Sequence, residues 1–208
     1  MTKMLKYLIG TLSGILILFI AAMFLSPKNM IIESSVKIEA PAAVCFNLLN
    51  DLSNWPLWSP WSNADPDAVL GYSDDTKGVG AKFSWKGDKS IGEGAQTIIY
   101  SSKTDSIALA LEFNGASGES FSSWTFKPSG KKTVVSWNFK SADVPLPIRP
   151  LMLLNKGPLK RSYKEGLKNL KNIAEERAKK KIYRGYKINE TRLEEKHYVM
   201  NRQLISID

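Results

Sequence analysis

The sequence predicts an α+β fold in which a curved antiparallel β-sheet wraps around a long C-terminal α-helix, with a separate transmembrane helix at the N-terminus. Three observations lead to this prediction. An uncharged apolar stretch comes first, segments that alternate apolar and polar residues follow, and the last part of the chain changes to helical spacing. Only the final helix is long enough to cover the apolar face of such a sheet.

Residues 7–25, YLIGTLSGILILFIAAMFL, contain no charged residue. A helix of this length spans roughly the ~30 Å hydrocarbon core of a bilayer. A cleavable signal peptide is the alternative, but its apolar region usually has only about 7–15 residues. We therefore expect residues 1–28 to be a single-pass membrane anchor. Lys3 and Lys6 precede the stretch, so the positive-inside rule places the N-terminus in the cytoplasm and the rest of the protein outside.

A strand and a helix are predicted directly after the anchor. Alternation in MIIESSVKIEA puts four residues on one face of a strand: Ile32, Ser34, Val36 and Ile38. Pro41 suits the first turn of the helix that follows, whose apolar residues recur at helical spacing up to Leu52. The prolines of the next segment, NWPLWSPW, disfavour a regular helix or a central strand there.

Six strand-like segments follow, and the connections between them are short and rich in Gly, Asp, Ser and Lys. The segments are AVLGYSD at 68–74, GAKFSWKG, EGAQTIIYSS, SIALALEF, SFSSWTFKP and KTVVSWNFKS. Short connections of this composition are typical of hairpins, so we expect an antiparallel meander.

After ADVPLPIRP the alternation stops and a long helix is predicted. One face of this helix is apolar, with Leu159, Tyr163, Leu167, Leu170 and Ala174. The opposite face is basic, and the whole chain has a net charge of +9. This basic face has two interpretations: a solvated surface that keeps the domain soluble, or a contact with anionic lipid headgroups. Nucleic acid is not an expected partner, because the sequence has no nucleic-acid-binding motif.

The order of these elements resembles the helix-grip superfamily, also called SRPBCC, which includes START lipid-transfer domains, the major birch-pollen allergen and polyketide cyclases. Three features carry the resemblance: the strand and helix of IEAPAAVCFNLLNDLSNWPLW, the segment WPLWSPW, and the hairpins that end in KTVVSWNFK before a long helix. The resemblance covers about residues 30–178, and we expect the domain to span residues 30–181. The chain most resembles the membrane-anchored bacterial members of the polyketide cyclase or dehydrase type. It implies a seven-stranded sheet around the C-terminal helix, with an internal cavity for an apolar or amphipathic ligand.

The tail at residues 182–208 resembles the start of a GyrI-like effector-binding domain, which follows the helix-grip domain in some related bacterial proteins. This resemblance implies a first strand and a turn. One or two strands are too few to form that domain, so we expect the tail to be incomplete.

Few residues of this sequence suit catalysis or metal binding. The only histidine, His197, lies in the tail, which argues against histidine-dependent triads and multi-histidine metal sites in the folded domain. The only cysteine, Cys45, lies on the apolar face of a helix, where a small buried side chain is expected. We therefore expect no metal and no cofactor. Two candidates for proton transfer remain, Glu93 and Tyr163; for Glu93, a solvent-facing carboxylate is the alternative.

The leading hypothesis is a binding module that holds a hydrophobic or amphipathic small molecule, of lipid or polyketide type, between the sheet and the C-terminal helix. The residues expected to face the ligand are Trp55, Trp58, Trp61, Phe83, Trp85, Leu109, Leu111, Trp124, Trp137, Phe139, Tyr163 and Leu167. The three clustered tryptophans have two interpretations: they form the mouth of the cavity, or they close the end of the core. Within this cluster, we expect Trp58 to form pocket wall and Trp55 to pack in the core. A cyclase- or dehydrase-type enzyme and a ligand-free structural domain are the alternatives. A cavity of about 300–1,000 Å³ would favour the binding module or the enzyme.

Overall fold

A computed structural model of the protein describes residues 3–204, with the side chains of residues 3–180. Helices α1–α4 span Lys3–Leu25, Ala42–Leu49, Trp55–Trp58 and Arg149–Leu204. Strands β1–β7 span Ile31–Ile38, Val69–Tyr72, Lys82–Lys86, Glu93–Ser102, Ser106–Phe113, Ser120–Ser129 and Lys132–Lys140. Short 3₁₀ turns at Leu52–Asn54 and Leu146–Ile148 precede α3 and α4. The predicted α+β fold, with a long C-terminal helix and a separate N-terminal apolar helix, is therefore confirmed.

The seven strands form one antiparallel sheet in the order β1-β7-β6-β5-β4-β3-β2. The meander thus runs from β2 to β7, and β1 joins its far edge beside β7. The register brings five residues to one end of the sheet: Ile31, Lys140, Phe121, Phe113 and Val69. We call this the α1 end, because β1 follows α1 there, and the opposite end, where β1 leads to α2, the α2 end.

Helix α4 lies across the concave face of the sheet, and its apolar face is the one that the spacing predicts. Tyr163, Leu167 and Leu170 are buried. Gly166 allows the close approach, because a Cβ there would come within 3.0 Å of both the Trp137 ring and Pro60. A larger residue at this position would push α4 away from the sheet.

Polar contacts fix the direction of α4 relative to β1. The Lys171 Nζ donates to the carbonyl of Lys37 at 3.1 Å, and the Glu175 Oε1 accepts from the backbone N–H of Glu39 at 2.8 Å. Lys37 is the second-last residue of β1 and Glu39 directly follows the strand, so both lie at the α2 end. Helix α4 therefore begins near the α1 end and runs towards the α2 end.

Helix α1 is long and apolar enough to cross a membrane, a description that a signal sequence near the N-terminus also fits. None of its described residues is buried, and it contacts the 3₁₀ turn Leu146–Ile148 and α4. At the other end of the chain, the backbone of α4 continues to Leu204, where the resemblance implied a strand. The side chains after Lys180 lie outside those described, so the assignment of residues 182–208 to a second domain stays a prediction.

Candidate ligand-binding cavity

A cavity of about 480 Å³ lies between the sheet, α4 and the segment that follows α3. Apolar and aromatic residues form most of its wall. The lining residues are Met30, Trp55, Pro56, Ser59, Trp61, Ser62, Asp65, Pro66, Ala68, Leu70, Phe83, Trp85, Ile91, Gln96, Leu111, Phe113, Ser122, Trp137, Phe139, Leu159 and Tyr163. This volume falls within the range of about 300–1,000 Å³ that is usual for small-molecule sites.

Eight of the twelve residues expected to face a ligand line this cavity: Trp55, Trp61, Phe83, Trp85, Leu111, Trp137, Phe139 and Tyr163. The other four, Trp58, Leu109, Trp124 and Leu167, lie buried in the hydrophobic core away from the cavity wall. Helix α2 packs against β6, β7 and α4, and so occupies part of the space over the concave face. Strand alternation identifies the inward face, but it does not show which part of that face another helix covers.

The roles expected for two of the clustered tryptophans are exchanged in the structure. Trp58 is fully buried, with its ring centroid 5.4 Å from that of Trp124 and 5.5 Å from that of Trp137. Trp55 is half-buried and lines the cavity. The expectation that Trp58 forms pocket wall and Trp55 forms core was therefore wrong. The single turn of α3 directs the second tryptophan, not the first, into the space between the sheet and α4.

A stack of three aromatic rings connects the sheet to α4 beside the cavity. The centroid of the Trp137 ring lies 4.3 Å from that of Trp124 and 3.9 Å from that of Tyr163, with interplanar angles of 19° and 25°. Burial raises the pKa of the Tyr163 phenol well above its usual range. The raised pKa disfavours the phenol as a base. Its position favours a packing role in the cavity wall.

The other candidate for proton transfer, Glu93, does not line the cavity. It lies exposed at the start of β4, where its Oε2 accepts a hydrogen bond from the Asn114 Nδ2 at 3.2 Å. The Lys86 Nζ is 3.9 Å from the same oxygen. The solvent-facing alternative is thus the one that the structure shows, because β4 begins at the rim of the sheet. Glu93 is therefore not placed to act as the carboxylate of the enzyme hypothesis.

Gln96 is the most informative polar residue of the cavity, and it is not among the site residues expected from the sequence. Only 1% of this residue is exposed, and its Nε2 has no hydrogen-bond partner among the described residues. Alternation along EGAQTIIYSS places Gln96 on the same face of β4 as the buried Ile98, so a polar residue at an inward position was the available signal. Buried amide groups without partners are rare and costly, which makes this one a candidate for ligand contact.

Ser122 is another buried polar residue of the cavity wall, and its hydrogen bonds are made within the protein. Its Oγ accepts from the Trp137 Nε1 at 2.8 Å and donates to the carbonyl of Asn138 at 3.1 Å. The bond holds the Trp137 indole in place. Ser122 therefore organises the wall, whereas Gln96 keeps an unused donor.

The exposed residues of the lining mark the mouth of the cavity. They are Pro66, Leu70 and Phe113, which belong to the segment before β2, to β2 itself and to the last residue of β5. Asp65 connects the segment before β2 to the loop after β3 at the mouth, because its Oδ2 accepts a hydrogen bond from the backbone N–H of Asp88 at 2.7 Å. The mouth thus lies at the α1 end of the sheet.

Cys45 takes no part in the site. It is fully buried in the core, and burial raises the pKa of its thiol to about 11. No group of three or more histidine, cysteine, aspartate or glutamate residues suited to a metal ion occurs among the described residues.

A curved antiparallel sheet that holds a long helix over an apolar cavity defines a helix-grip domain. Residues 30–175 match the family described as polyketide cyclase / dehydrase and lipid transport, and the chain belongs to this family. Among curated protein sequences, none matches the chain significantly.

Solved structures with the same fold are distant in sequence. A protein from Chromobacterium violaceum is 16% identical with a TM-score of 0.52, over 70% of this chain and 96% of that one. The di-domain ARO/CYC protein StfQ of the steffimycin biosynthetic pathway is 14% identical with a TM-score of 0.55, over 72% of this chain and 52% of that one. Truncated norcoclaurine synthase from Thalictrum flavum is 17% identical with a TM-score of 0.51, over 69% and 94%. At these identities the similarity shows the fold alone.

Proposed function

We propose that this protein is a membrane-anchored binding module for an amphipathic small molecule, of lipid or polyketide type, held between the sheet and α4. The observation that carries the proposal is the 480 Å³ cavity, whose mostly apolar wall contains the unpartnered amide of Gln96. An apolar wall favours a hydrophobic body. The amide favours a ligand that also carries a hydrogen-bond acceptor, such as a carbonyl or a hydroxyl group.

The membrane part of the proposal rests on α1. Its 23 residues would extend about 35 Å as a helix, which is enough to cross a hydrocarbon core of ~30 Å. From Tyr7 to Leu25 this helix carries no charged residue, and none of its residues is buried. A ligand that partitions into lipid would then be concentrated where the domain is tethered.

Binding fits the site better than catalysis. The cavity wall contains one carboxylate, Asp65, and both of its oxygens already accept backbone hydrogen bonds, from Asp67 and Asp88. Burial raises the pKa of Tyr163 still further above neutral pH, which disfavours it as a base. The family name includes both enzymatic and lipid-transport roles, and the groups in this cavity favour the second.

Native mass spectrometry of the full-length protein, extracted gently in detergent, tests the proposal. We expect a copurifying mass of lipid or polyketide size. Ala68→Trp places an indole at the cavity wall and should remove the bound mass, whereas Ala64→Trp, on an exposed residue of the same segment outside the lining, should retain it.

A matched pair of added probes, anthraquinone and anthracene, tests the chemistry of the site. Both have a three-ring apolar body, but only anthraquinone carries carbonyl acceptors. We expect both to quench tryptophan emission, and anthraquinone to bind more tightly. No copurifying mass together with no quenching by either probe would contradict the proposed function.

A further inference from the structure

The α1 end of the sheet carries apolar side chains that are exposed on the domain itself. Ile31, Phe113 and Phe121 are all exposed at this end, and 69% of Val69 is exposed. Ile31 and Phe121 both pair with Lys140, while Phe113 ends β5 and Val69 begins β2 at the same end of the sheet. Several exposed aromatic and aliphatic residues at one end of a domain are typical of a contact surface.

The start of α4 continues this surface, and its outward face changes character along the helix. Leu151 and Leu154 are exposed there, the latter to 72%. Further along the same face, Arg161 and Lys168 are exposed and basic. A face that is apolar for two turns and basic afterwards suits a helix that enters the boundary between lipid tails and headgroups.

Helix α1 joins the domain at the same place. It contacts the turn before α4 and α4 itself, and its only partly shielded residues are Ala22 and Met23, in its last turn. The connection to β1 is held by backbone hydrogen bonds, from Ser141 to Met30 at 2.9 Å and from Val144 to Lys28 at 2.7 Å. The domain therefore cannot move far from the end of α1.

We propose that the α1 end of the sheet and the first two turns of α4 rest on the surface of the bilayer that holds α1, so that the cavity mouth faces the lipid. This inference rests on the proposed function, because it needs α1 to be in a membrane. The bilayer is the occupant of the surface because the exposed apolar residues continue directly from α1. Exposed cationic residues at the same end, Lys28, Lys140 and Lys156, are placed to meet anionic headgroups.

The consequence for ligand binding is a route that avoids water. Leu70 and Phe113 belong both to the mouth and to the α1 end. A ligand dissolved in the bilayer would enter between them without crossing the aqueous phase. The cavity then exchanges its ligand with the membrane beneath the domain.

Two valines provide a matched test of this surface. Val69 is 69% exposed at the α1 end, and Val79 is 65% exposed just before β3, at the α2 end. The full-length Val69→Cys and Val79→Cys proteins are labelled with an NBD fluorophore; Cys45 is buried and is not expected to react. They are then reconstituted in vesicles of phosphatidylcholine and phosphatidylglycerol that contain a doxyl-labelled lipid.

We expect the probe at Val69 to shift its emission to the blue and to lose intensity to a doxyl group near the headgroup, and the probe at Val79 to do neither. Leu154→Cys is a second reporter and should behave like Val69→Cys. Ile17→Cys, in the middle of α1, should be quenched by a doxyl group near the bilayer centre.

Quenching at Ile17 without quenching at either Val69 or Leu154 would overturn the inference and leave the anchor of the proposed function intact. Absence of quenching at Ile17 would show that α1 is not in the membrane, and would overturn both. Equal quenching at Val69 and Val79 would also overturn the inference, since it would mean that the domain has no preferred face towards the bilayer.

Discussion

The Gln96→Met substitution is expected to raise the free energy of unfolding and to weaken ligand binding. In the structure the amide is 99% shielded and its Nε2 has no partner among the described residues. Such a donor costs about 1–3 kcal/mol, while a volume-conserving change in a core usually costs less than about 1.5 kcal/mol. The net gain should be about 1 kcal/mol, which raises the Tm of a domain of this size by about 2–4 °C.

The same substitution should affect the two probes differently. A neutral hydrogen bond contributes about 0.5–1.5 kcal/mol, so loss of the amide should weaken anthraquinone binding about 2- to 10-fold. Anthracene has no acceptor, and its affinity should not fall. Tryptophan quenching titrations and urea unfolding of the detergent-solubilised full-length protein measure the two quantities.

Ser122→Ala is the matched control, because it removes a buried hydroxyl from the same cavity wall. Loss of the hydroxyl leaves the Trp137 Nε1 and the Asn138 carbonyl without this partner. The substitution should therefore destabilise the protein by about 1–3 kcal/mol. A Gln96→Met protein that is less stable than wild type and binds both probes normally would refute the reasoning, because the amide would then have a structural role.

Three further predictions concern the core and its borders. Trp58→Ala should lower the free energy of unfolding by about 3–5 kcal/mol, whereas Trp55→Ala should cost less stability and weaken probe binding more. Cys45 should react with thiol reagents at pH 8 only after urea unfolding, because burial raises its pKa to about 11. Burial raises the pKa of Asp51, but hydrogen bonds led by those from Ser53 outweigh it and hold the pKa below its usual range. Asp51 therefore stabilises the fold above its unfolded pKa of about 3.9, and Asp51→Asn should flatten the loss of stability measured as the pH falls below that value.

The fold could be predicted because its strands have one buried and one solvated face. In β7 the buried Val135, Trp137 and Phe139 alternate with more exposed residues, so the hydrophobic pattern of this strand repeats every two residues. In β4 the pattern is weaker. The register shifts between Ile98 and Tyr100, and no alternation marks this irregularity because neighbouring residues there are apolar on both faces.

The lining of the cavity could be predicted only in part, because a cavity forms where neighbouring elements leave a space empty. Leu109 and Leu111 lie on the same face of β5 and have the same chemistry, yet only Leu111 lines the cavity. Which part of the concave face stays open depends on where other elements pack against it, and the position of one element on another is not encoded in the spacing of either. Trp55 and Trp58 differ for the same reason.

Two departures from the expected pattern of burial mark the surfaces where we propose that other molecules bind. Gln96 is a polar residue at an inward position, and its donor would be satisfied by a ligand that carries an acceptor. Leu151 and Leu154 are apolar residues on an outward face, and they would be shielded by lipid. Sequences that fold well usually agree with their structure at every level, and exceptions concentrate at functional sites. If the domain rests on the bilayer as we propose, lipid would shield the two leucines, and a ligand that leaves the same bilayer would pass the mouth and meet the amide at the cavity wall.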